Sequence, residues 1–198
     1  GTGTLTKADA GTWTLNGANT YSGNTTISAG TLKLGNASAL GASSSNVSIT
    51  SGAVLDLNGQ TVTNTNALTI NGTGITSGGA VINSSATGAS YAGLVTLGSA
   101  ASIVGGSGTI TLGNSGTITG SGFGLTLGGA AGGTITSIIG TGTGTLTKAD
   151  AGTWTLNGAN TYSGNTTVSA GTLTIGGSGS LGSGSYAANI TNNGTLKF

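Results

Sequence analysis

Apolar and polar residues alternate in short runs along the whole chain. The segment 12–15 reads TWTL, so a period of two places Trp13 and Leu15 on one face and the threonines on the other. In LKL (32–34) and LDL (55–57) the charged residue lies opposite the apolar pair. The runs are rich in Val, Ile, Leu and Thr and are flanked by Gly, Asn or Ser, which is typical of strands separated by turns. No sustained helical stripe occurs, so we expect an all-β protein with few or no helices.

A long internal repeat is the second feature of the pattern. Residues 1–32 recur as residues 142–173 with one change, Ile27 to Val168, at an offset of 141 residues. Cores tolerate many hydrophobic swaps, so near-identity over such a length exceeds what folding requires and indicates recent tandem duplication. The sequence therefore predicts a first long repeat unit at 1–141 and a partial second unit at 142–198, as a window on a longer tandem array.

The repeat also distinguishes among the all-β architectures. A sandwich or barrel closes on itself, whereas a solenoid adds coils indefinitely, each contacting only the next. We therefore predict a parallel β-helix (β-solenoid), continuous over residues 1–198, with about 20 residues per coil. That length gives about ten coils for the chain, about seven for the 141-residue unit, and a rod of roughly 48 Å at ~4.8 Å per coil. Low charge fits this fold, since stacked in-register strands would place like charges over one another.

Composition excludes most functions that need charged or nucleophilic side chains. The chain has 4 Lys, 3 Asp, 42 Gly and no Arg, Glu, His, Cys, Pro or Met. Phosphate backbones need clustered Lys and Arg, and acid–base or nucleophilic catalysis and zinc sites draw on His, Cys or tuned carboxylates. We therefore expect a protein that is not an enzyme, with no catalytic, cofactor-binding or metal-binding residues and no nucleic-acid partner. No apolar run of ~20 residues is present, so we expect no membrane insertion of this segment.

The repeated string carries a family resemblance. Leu5–Leu32 reads LTKADAGTWTLNGANTYSGNTTISAGTL, with G-T, G-x-N-T-Y, G-x-T and G-T-L at fixed spacing, and Leu146–Leu173 repeats it. This string resembles the autotransporter passenger-associated repeat, with a departure at Asp9 and Asp150, where the family usually has Gly. The resemblance implies a right-handed parallel β-helix that is extracellular or on a bacterial cell surface, as an autotransporter-type passenger.

Several side chains are candidates for binding. Trp13 and Tyr21, with their copies Trp154 and Tyr162, could stack on sugars, but we interpret the tryptophans as interior and the tyrosines as corner packing. The three aspartates could chelate calcium, but the convergent oxygens of such a site are not indicated, so we interpret them as solvated. For Lys7 beside Asp9 the alternatives are an isopeptide or ion pair and ordinary exposed charges, and we favour the last.

Threonine triplets offer a sharper alternative. If they aligned on one flat face, they would resemble the ice-binding surfaces of some β-helical antifreeze proteins, but their spacing along the sequence is irregular. Outward-facing strand threonines are the simpler interpretation. The triplets are Thr4-Leu-Thr6, Thr12-Trp-Thr14, Thr61-Val-Thr63, Thr109-Ile-Thr111, Thr117-Ile-Thr119 and Thr134-Ile-Thr136.

The principal functional prediction is a structural β-solenoid that forms a cell-surface or extracellular fibre or the stalk of an adhesin. Its expected partners are further copies of its own repeat, by tandem array or by end-to-end stacking into filaments. The alternative is a module for host or matrix glycans, or for ice, displayed on one face of the rod. A polysaccharide-degrading β-helix enzyme is the weakest alternative, because a repeat unit offers only Asp9 and Asp56 as carboxylates.

Overall fold

The computed structural model describes all 198 residues and shows a parallel β-solenoid of about nine turns with roughly 22 residues per turn. The predicted all-β solenoid is confirmed, and the only helical segments are short 3-10 turns at Ile75–Ser77 and Gly182–Gly184. No helix has the length and hydropathy of a membrane span. The coils are slightly longer than the assumed 20 residues, so there are about nine rather than ten, and the rod is roughly 43 Å long at ~4.8 Å per coil.

The strands stack in register on three faces that run along the rod. The first face holds β1 (Leu5–Lys7), β3 (Thr25–Ile27), β5 (Val47–Ile49), β8 (Leu68–Gly72), the first half of β11 (Val95–Gly105), β13 (Thr117–Thr119) and β16 (Ile138–Gly140).

The second face holds β2 (Thr12–Leu15), β4 (Thr31–Leu34), β6 (Val54–Asp56), β9 (Val81–Asn83), the second half of β11, β14 (Leu125–Gly128), β17 (Leu146–Lys148), β19 (Thr166–Val168) and β21 (Ile190–Asn192). The third face holds β7 (Thr61–Val62), β10 (Ala89–Tyr91), β12 (Ile110–Leu112), β15 (Gly132–Ile135), β18 (Thr153–Leu156), β20 (Thr172–Ile175) and β22 (Thr195–Lys197).

Strand β11 joins the first two faces into one sheet. Its residues Val95–Leu97 pair with β8, whereas Ile103–Gly105 pair with β9, and the register shifts between Leu97 and Ala101. On its other side β11 pairs with both β13 and β14. The strand therefore turns a corner of the coil without leaving the hydrogen-bonded ladder, and the first two faces form a single 15-stranded sheet.

The 141-residue offset does not contain a whole number of coils. From β1, six steps along the first face lead through β3, β5, β8, β11 and β13 to β16, and β17 then begins on the second face. The offset thus spans about six and a third coils, not the seven expected from the sequence. Consequently the LTK strand lies on the first face in the first copy and on the second face in the second copy, about a third of a turn away.

One apolar core runs inside the coils. Successive strands bury alternate residues, as in β3, β5 and β19, where the two outer residues are buried and the central one is partly exposed. Thirty-six buried hydrophobic residues form a single cluster. At the corners, asparagine side chains hydrogen-bond carbonyls of the coil before, as Asn58 Nδ2 does to Leu34 O at 2.8 Å and Asn71 Nδ2 to Ile49 O at 2.8 Å. These amides satisfy backbone groups that leave the strand ladders.

Candidate functional site: the two repeat copies and the outward hydroxyl rows

The second repeat copy buries its tryptophan completely. Trp154 is 0% exposed, and its indole Nε1 donates to Gly128 O at 2.9 Å. On the adjacent coil Gly133 lies directly opposite Trp154, and a Cβ at Gly133 would lie 2.9 Å from the indole ring. Glycine is therefore required there, because any side chain would occupy the space of the ring. The interpretation of the tryptophan as interior is confirmed for Trp154.

A second contact fixes the corner before this tryptophan. Asp150 has a positive φ of 56°, and its Oδ2 accepts a hydrogen bond from Gly129 N at 2.7 Å. Left-handed backbone favours glycine, while Asp and Asn tolerate it best among other residues. This explains how aspartate serves at a position where the resembling family usually has glycine.

Lysine at this corner binds carbonyl oxygens. Lys148 Nζ donates to the carbonyls of Ala149, Asp150 (2.8 Å) and Ala170 (3.0 Å). Burial lowers the pKa of Lys148, and the nearby Asp150 carboxylate partly offsets that effect. Lys7 is likewise buried and donates to Asp9 O and Ala29 O. The expectation of an ordinary exposed Lys7 was wrong, because the ammonium satisfies inward-facing carbonyls of its corner and of the following coil.

The first copy shows the same residues in a different environment. Strands β1 and β2 pair on one side only, with β3 and β4, so the other side of this coil is uncovered. Trp13 is 46% exposed, and Lys7 Nζ lies over its ring, 5.4 Å from the ring centroid. The interior position expected for Trp13 is therefore wrong in this structure, in which β2 pairs with β4 alone.

The tyrosines of the two copies also differ in burial. Tyr162 is buried and shares a hydrogen bond of 2.7 Å with Thr166 Oγ1, and its ring meets Tyr186 edge-on at 5.8 Å between centroids. Tyr21 makes the equivalent 2.7 Å bond to Thr25 but is only half-buried. Burial raises the pKa of both phenols, and of Tyr162 further because it is enclosed more completely. Trp154 and Tyr162 thus present no aromatic surface for stacking on a sugar.

A buried carboxylate lies on the second face. Asp56 is almost fully buried and accepts hydrogen bonds from Asn58 N (2.9 Å), Ser84 N (3.1 Å) and Ser84 Oγ (2.6 Å). Lys33 lies in register with Asp56 on β4 of the preceding coil, and its Nζ is 3.8 Å from Asp56 Oδ2. The prediction of three solvated aspartates is wrong for Asp56, whose oxygens are used within the fold, whereas Asp9 and Asp150 are exposed.

Three rows of Ser and Thr run along the outside, one on each face, at the spacing of the coils. Thr96 and Thr119 in the first row lie 3.2 Å apart between hydroxyl oxygens. The first-face row is Thr6, Thr26, Ser48, Thr69, Thr96 and Thr119. The second-face row is Thr126, Thr147, Thr167 and Thr191, whereas Ser102, which lies in register with Thr126 on the preceding coil, is buried. The third-face row is Thr61, Ser90, Thr111, Thr134, Thr155 and Thr174.

The threonine triplets themselves do not share one flat face. Residues 4–6 and 117–119 belong to the first face, 12–14 to the second, and 61–63, 109–111 and 134–136 to the third. The irregular sequence spacing that argued against alignment reflects this distribution together with unequal coil lengths. What does align is the central Ser or Thr of successive strands, a signal present in the sequence as repeated apolar–Ser/Thr–apolar triplets. The contact between Gly133 and Trp154 had no such signal in the sequence, because the two residues meet only through the register of β15 and β18.

The remaining places for a binding site are cavities and clusters of metal-ligating side chains. One cavity of about 310 Å³ lies at the last coil, lined mainly by apolar residues that include Leu181, Tyr186 and Phe198. No three His, Cys, Asp or Glu side chains come close enough to hold a metal ion.

Comparison with known proteins identifies the repeated segment. The passenger-associated-transport-repeat family matches residues 5–34 and 146–175, which confirms the resemblance seen in the sequence. The chain is also 39% identical over 101 residues to the adhesin BmaC autotransporter of Brucella suis biovar 1 (strain 1330), a match covering 48% of this chain and 3% of that protein. No solved structure matches the chain. Two segments of the chain thus match the passenger-associated-transport-repeat family, and the chain is similar to a small part of an autotransporter adhesin.

Proposed function

We propose that this chain is a structural, non-catalytic segment of an autotransporter-type passenger on a bacterial surface, serving as the stalk of an adhesin or surface fibre. One observation carries the proposal: two passenger-associated transport repeats, residues 5–34 and 146–175, are built into one solenoid whose core passes through both without a break. In this proposal residues 1–141 form one unit of a continuous rod and residues 142–198 begin the next.

The mechanics of the coil stack support a spacer role. Each coil is tied to the next by parallel strand ladders on its faces and by corner side chains, so axial load is spread over many hydrogen bonds. Charged groups are few, and two of them, Lys148 and Asp56, make their hydrogen bonds within the fold. A rod built in this way holds whatever it carries at a fixed distance from its anchor.

Surface exposure is the first test. Antibodies raised against the purified chain should label intact cells of the source bacterium, seen by immunogold electron microscopy, with permeabilised cells as the control for total antigen. Label that appears only after permeabilisation would contradict the proposed location. Protease treatment of intact cells gives a second readout, since a surface stalk should be released into the medium as a large fragment.

Fibre formation is tested on native material. Cryo electron microscopy should show unbranched rods whose power spectrum has an axial reflection near ~4.8 Å, the strand spacing. Native preparations that contain only compact particles without that reflection would rule out the fibre.

Glycan or ice binding by the hydroxyl rows is the second candidate. The observation that favours it is the six-residue row on the first face, in which Thr96 and Thr119 are exposed and regularly spaced. The row ends where Thr119 pairs with Gly140, so its length is roughly 24 Å at ~4.8 Å per step. Thermal hysteresis and glycan-array binding of the purified chain, lost in Thr96→Lys, would support this role; no signal in either assay would exclude it.

A further inference from the structure

The uncovered side of the first coil has the same sequence as a surface that is covered elsewhere in the chain. Residues 1–32 and 142–173 differ only at Ile27 and Val168, and the second copy is covered by the coil formed by residues 121–141. The structure therefore already shows one occupant that this surface accepts.

The contacts of that occupant are specific. Residues 121–141 provide the carbonyl of Gly128 for the tryptophan indole, the N–H of Gly129 for the Asp150 carboxylate and the empty space at Gly133 for the indole ring. Leu127, Gly129 and Ile135 also provide carbonyls that accept backbone N–H groups of the second copy. Those donors are Ala149, Gly152 and Asn157, at 2.9, 3.1 and 2.8 Å.

The matching groups in the first copy have no such partners. Trp13 is 46% exposed, Asp9 lacks the positive φ of Asp150, and neither side chain bonds to another coil. A solenoid coil with one open side exposes unpaired backbone groups, which favours pairing with another strand layer.

We propose that the open side of the first coil is a docking surface for a second copy of the segment 121–141, and that Trp13 seats over its Gly133 as Trp154 does. The tryptophan then moves from contact with Lys7 into the coil interior. This inference deepens the proposed structural role by naming the partner. Its test observes a tryptophan rather than a fibre, so the two proposals can fail separately.

The last coil of the chain fits the open side of the first coil less well than residues 121–141 do. Along the third face Gly133, Trp154, Leu173 and Leu196 stand in one column, so Leu196 occupies in β22 the position that Gly133 occupies in β15. A leucine side chain fills the space that the indole ring needs. Docking by residues 121–141 therefore differs from simple end-to-end stacking of this chain.

The test extends the full chain by placing residues 121–141 directly before Gly1, which recreates the junction between Thr141 and Gly142. In the unextended chain acrylamide should quench one tryptophan of the two, since Trp13 is exposed and Trp154 is not. In the extended chain both should be protected, with Trp13 emission shifted to the blue. Fluorine NMR with 5-fluorotryptophan resolves the two residues and keeps Trp154 as an internal reference for folding.

The matched control carries Gly133→Val in the added segment only. The valine should leave Trp13 accessible to acrylamide while Trp154 stays protected. Trp13 that remains accessible beside the unmodified extension, or that is protected equally by both extensions, overturns the proposal. Protection of Trp13 in the unextended chain that grows with protein concentration would indicate end-to-end stacking through the last coil and would also overturn it.

Discussion

The two repeat copies are near-identical in sequence but not in structure. Trp154 is sealed against Gly133, whereas Trp13, in the same TWTL strand, is half exposed beside Lys7. Asp150 adopts a left-handed backbone and caps Gly129, whereas Asp9 does neither. Local sequence thus fixes the strands and turns of the repeat, while burial and corner geometry depend on the neighbouring coil. In a solenoid the energy of a unit resides largely in its interfaces, so two equal units can differ in stability.

The tryptophan pair should show the largest difference. We expect Trp154→Ala to cost about 3–5 kcal/mol, the usual range for emptying a buried aromatic site, and Trp13→Ala to cost less than about 1.5 kcal/mol because its ring is already partly hydrated. Urea unfolding followed by far-UV circular dichroism measures both. Equal losses would show that Trp13 is buried in solution and that the comparison between the copies does not hold.

The glycines that follow the lysine corner form a second matched pair. A Cβ at Gly152 would contact the carbonyl of Gly129 and lie 2.7 Å from Gly132 N, whereas a Cβ at Gly11 meets nothing within 4 Å. We expect Gly152→Ala to cost about 1–3 kcal/mol, as over-packing does, and Gly11→Ala to be nearly neutral. Thermal melts of the two variants measured side by side give the difference.

Glycines whose contacts lie within the repeat serve as the control for this pair. Gly30 and Gly171 both have positive φ, 67° and 65°, and both would press a Cβ against backbone carbonyls of their own copy. Alanine at either site should destabilise to a similar extent. A large difference between these two variants would mean that the copies differ in more than the covering coil.

The aspartates should differ by a smaller amount. Asp150→Ala loses the hydrogen bond from Gly129 and leaves a non-glycine residue in left-handed backbone, so we expect a cost of about 1–2 kcal/mol. Asp150→Gly removes the strain and should cost less than Asp150→Ala. Asp9→Ala should stay within about 0.5 kcal/mol. Chemical unfolding midpoints measure this order, and a neutral Asp150→Ala would contradict the capping role.

The smallest expected difference between the copies is in how their tyrosines affect stability at alkaline pH. Burial raises the pKa of Tyr91 and Tyr162 well above 10.0, so above pH ~10 the unfolded chain loses phenol protons that the folded chain retains. The unfolded state then binds fewer protons, and stability falls as pH rises. Lys148 acts in the opposite direction, because its lowered pKa makes the folded state release a proton before the unfolded state does.

The measurement is the unfolding midpoint between pH 9 and pH 11 for the wild-type chain, Tyr162→Phe and Tyr21→Phe. We expect Tyr162→Phe to reduce the alkaline loss more than Tyr21→Phe does, since Tyr21 is only half-buried. The same alkaline loss in both variants would show that the two phenols are equally enclosed.

The sequence by itself determined the parallel solenoid and the near-identity of residues 1–32 and 142–173. Strand content followed from two-residue alternation in runs such as TWTL, and the stacked architecture followed from the 141-residue offset, because only an open array gains from another near-identical unit. Local signals of this kind survive in any environment. The interior position of Trp154 was predictable for the same reason, from its place beside Leu156 on one face of a strand.

Tertiary structure decided everything that depends on which coil lies next to which. The sum of unequal coil lengths, 19 residues from Thr12 to Thr31 but 27 from Leu68 to Val95, sets the two copies a third of a turn apart. The summed coil length cannot be predicted from any local sequence pattern. Register likewise brings Gly133 beneath Trp154 and aligns the hydroxyl rows. The exposure of Trp13 follows from the same physics, since a side chain facing a neighbouring coil is buried only when that coil is present.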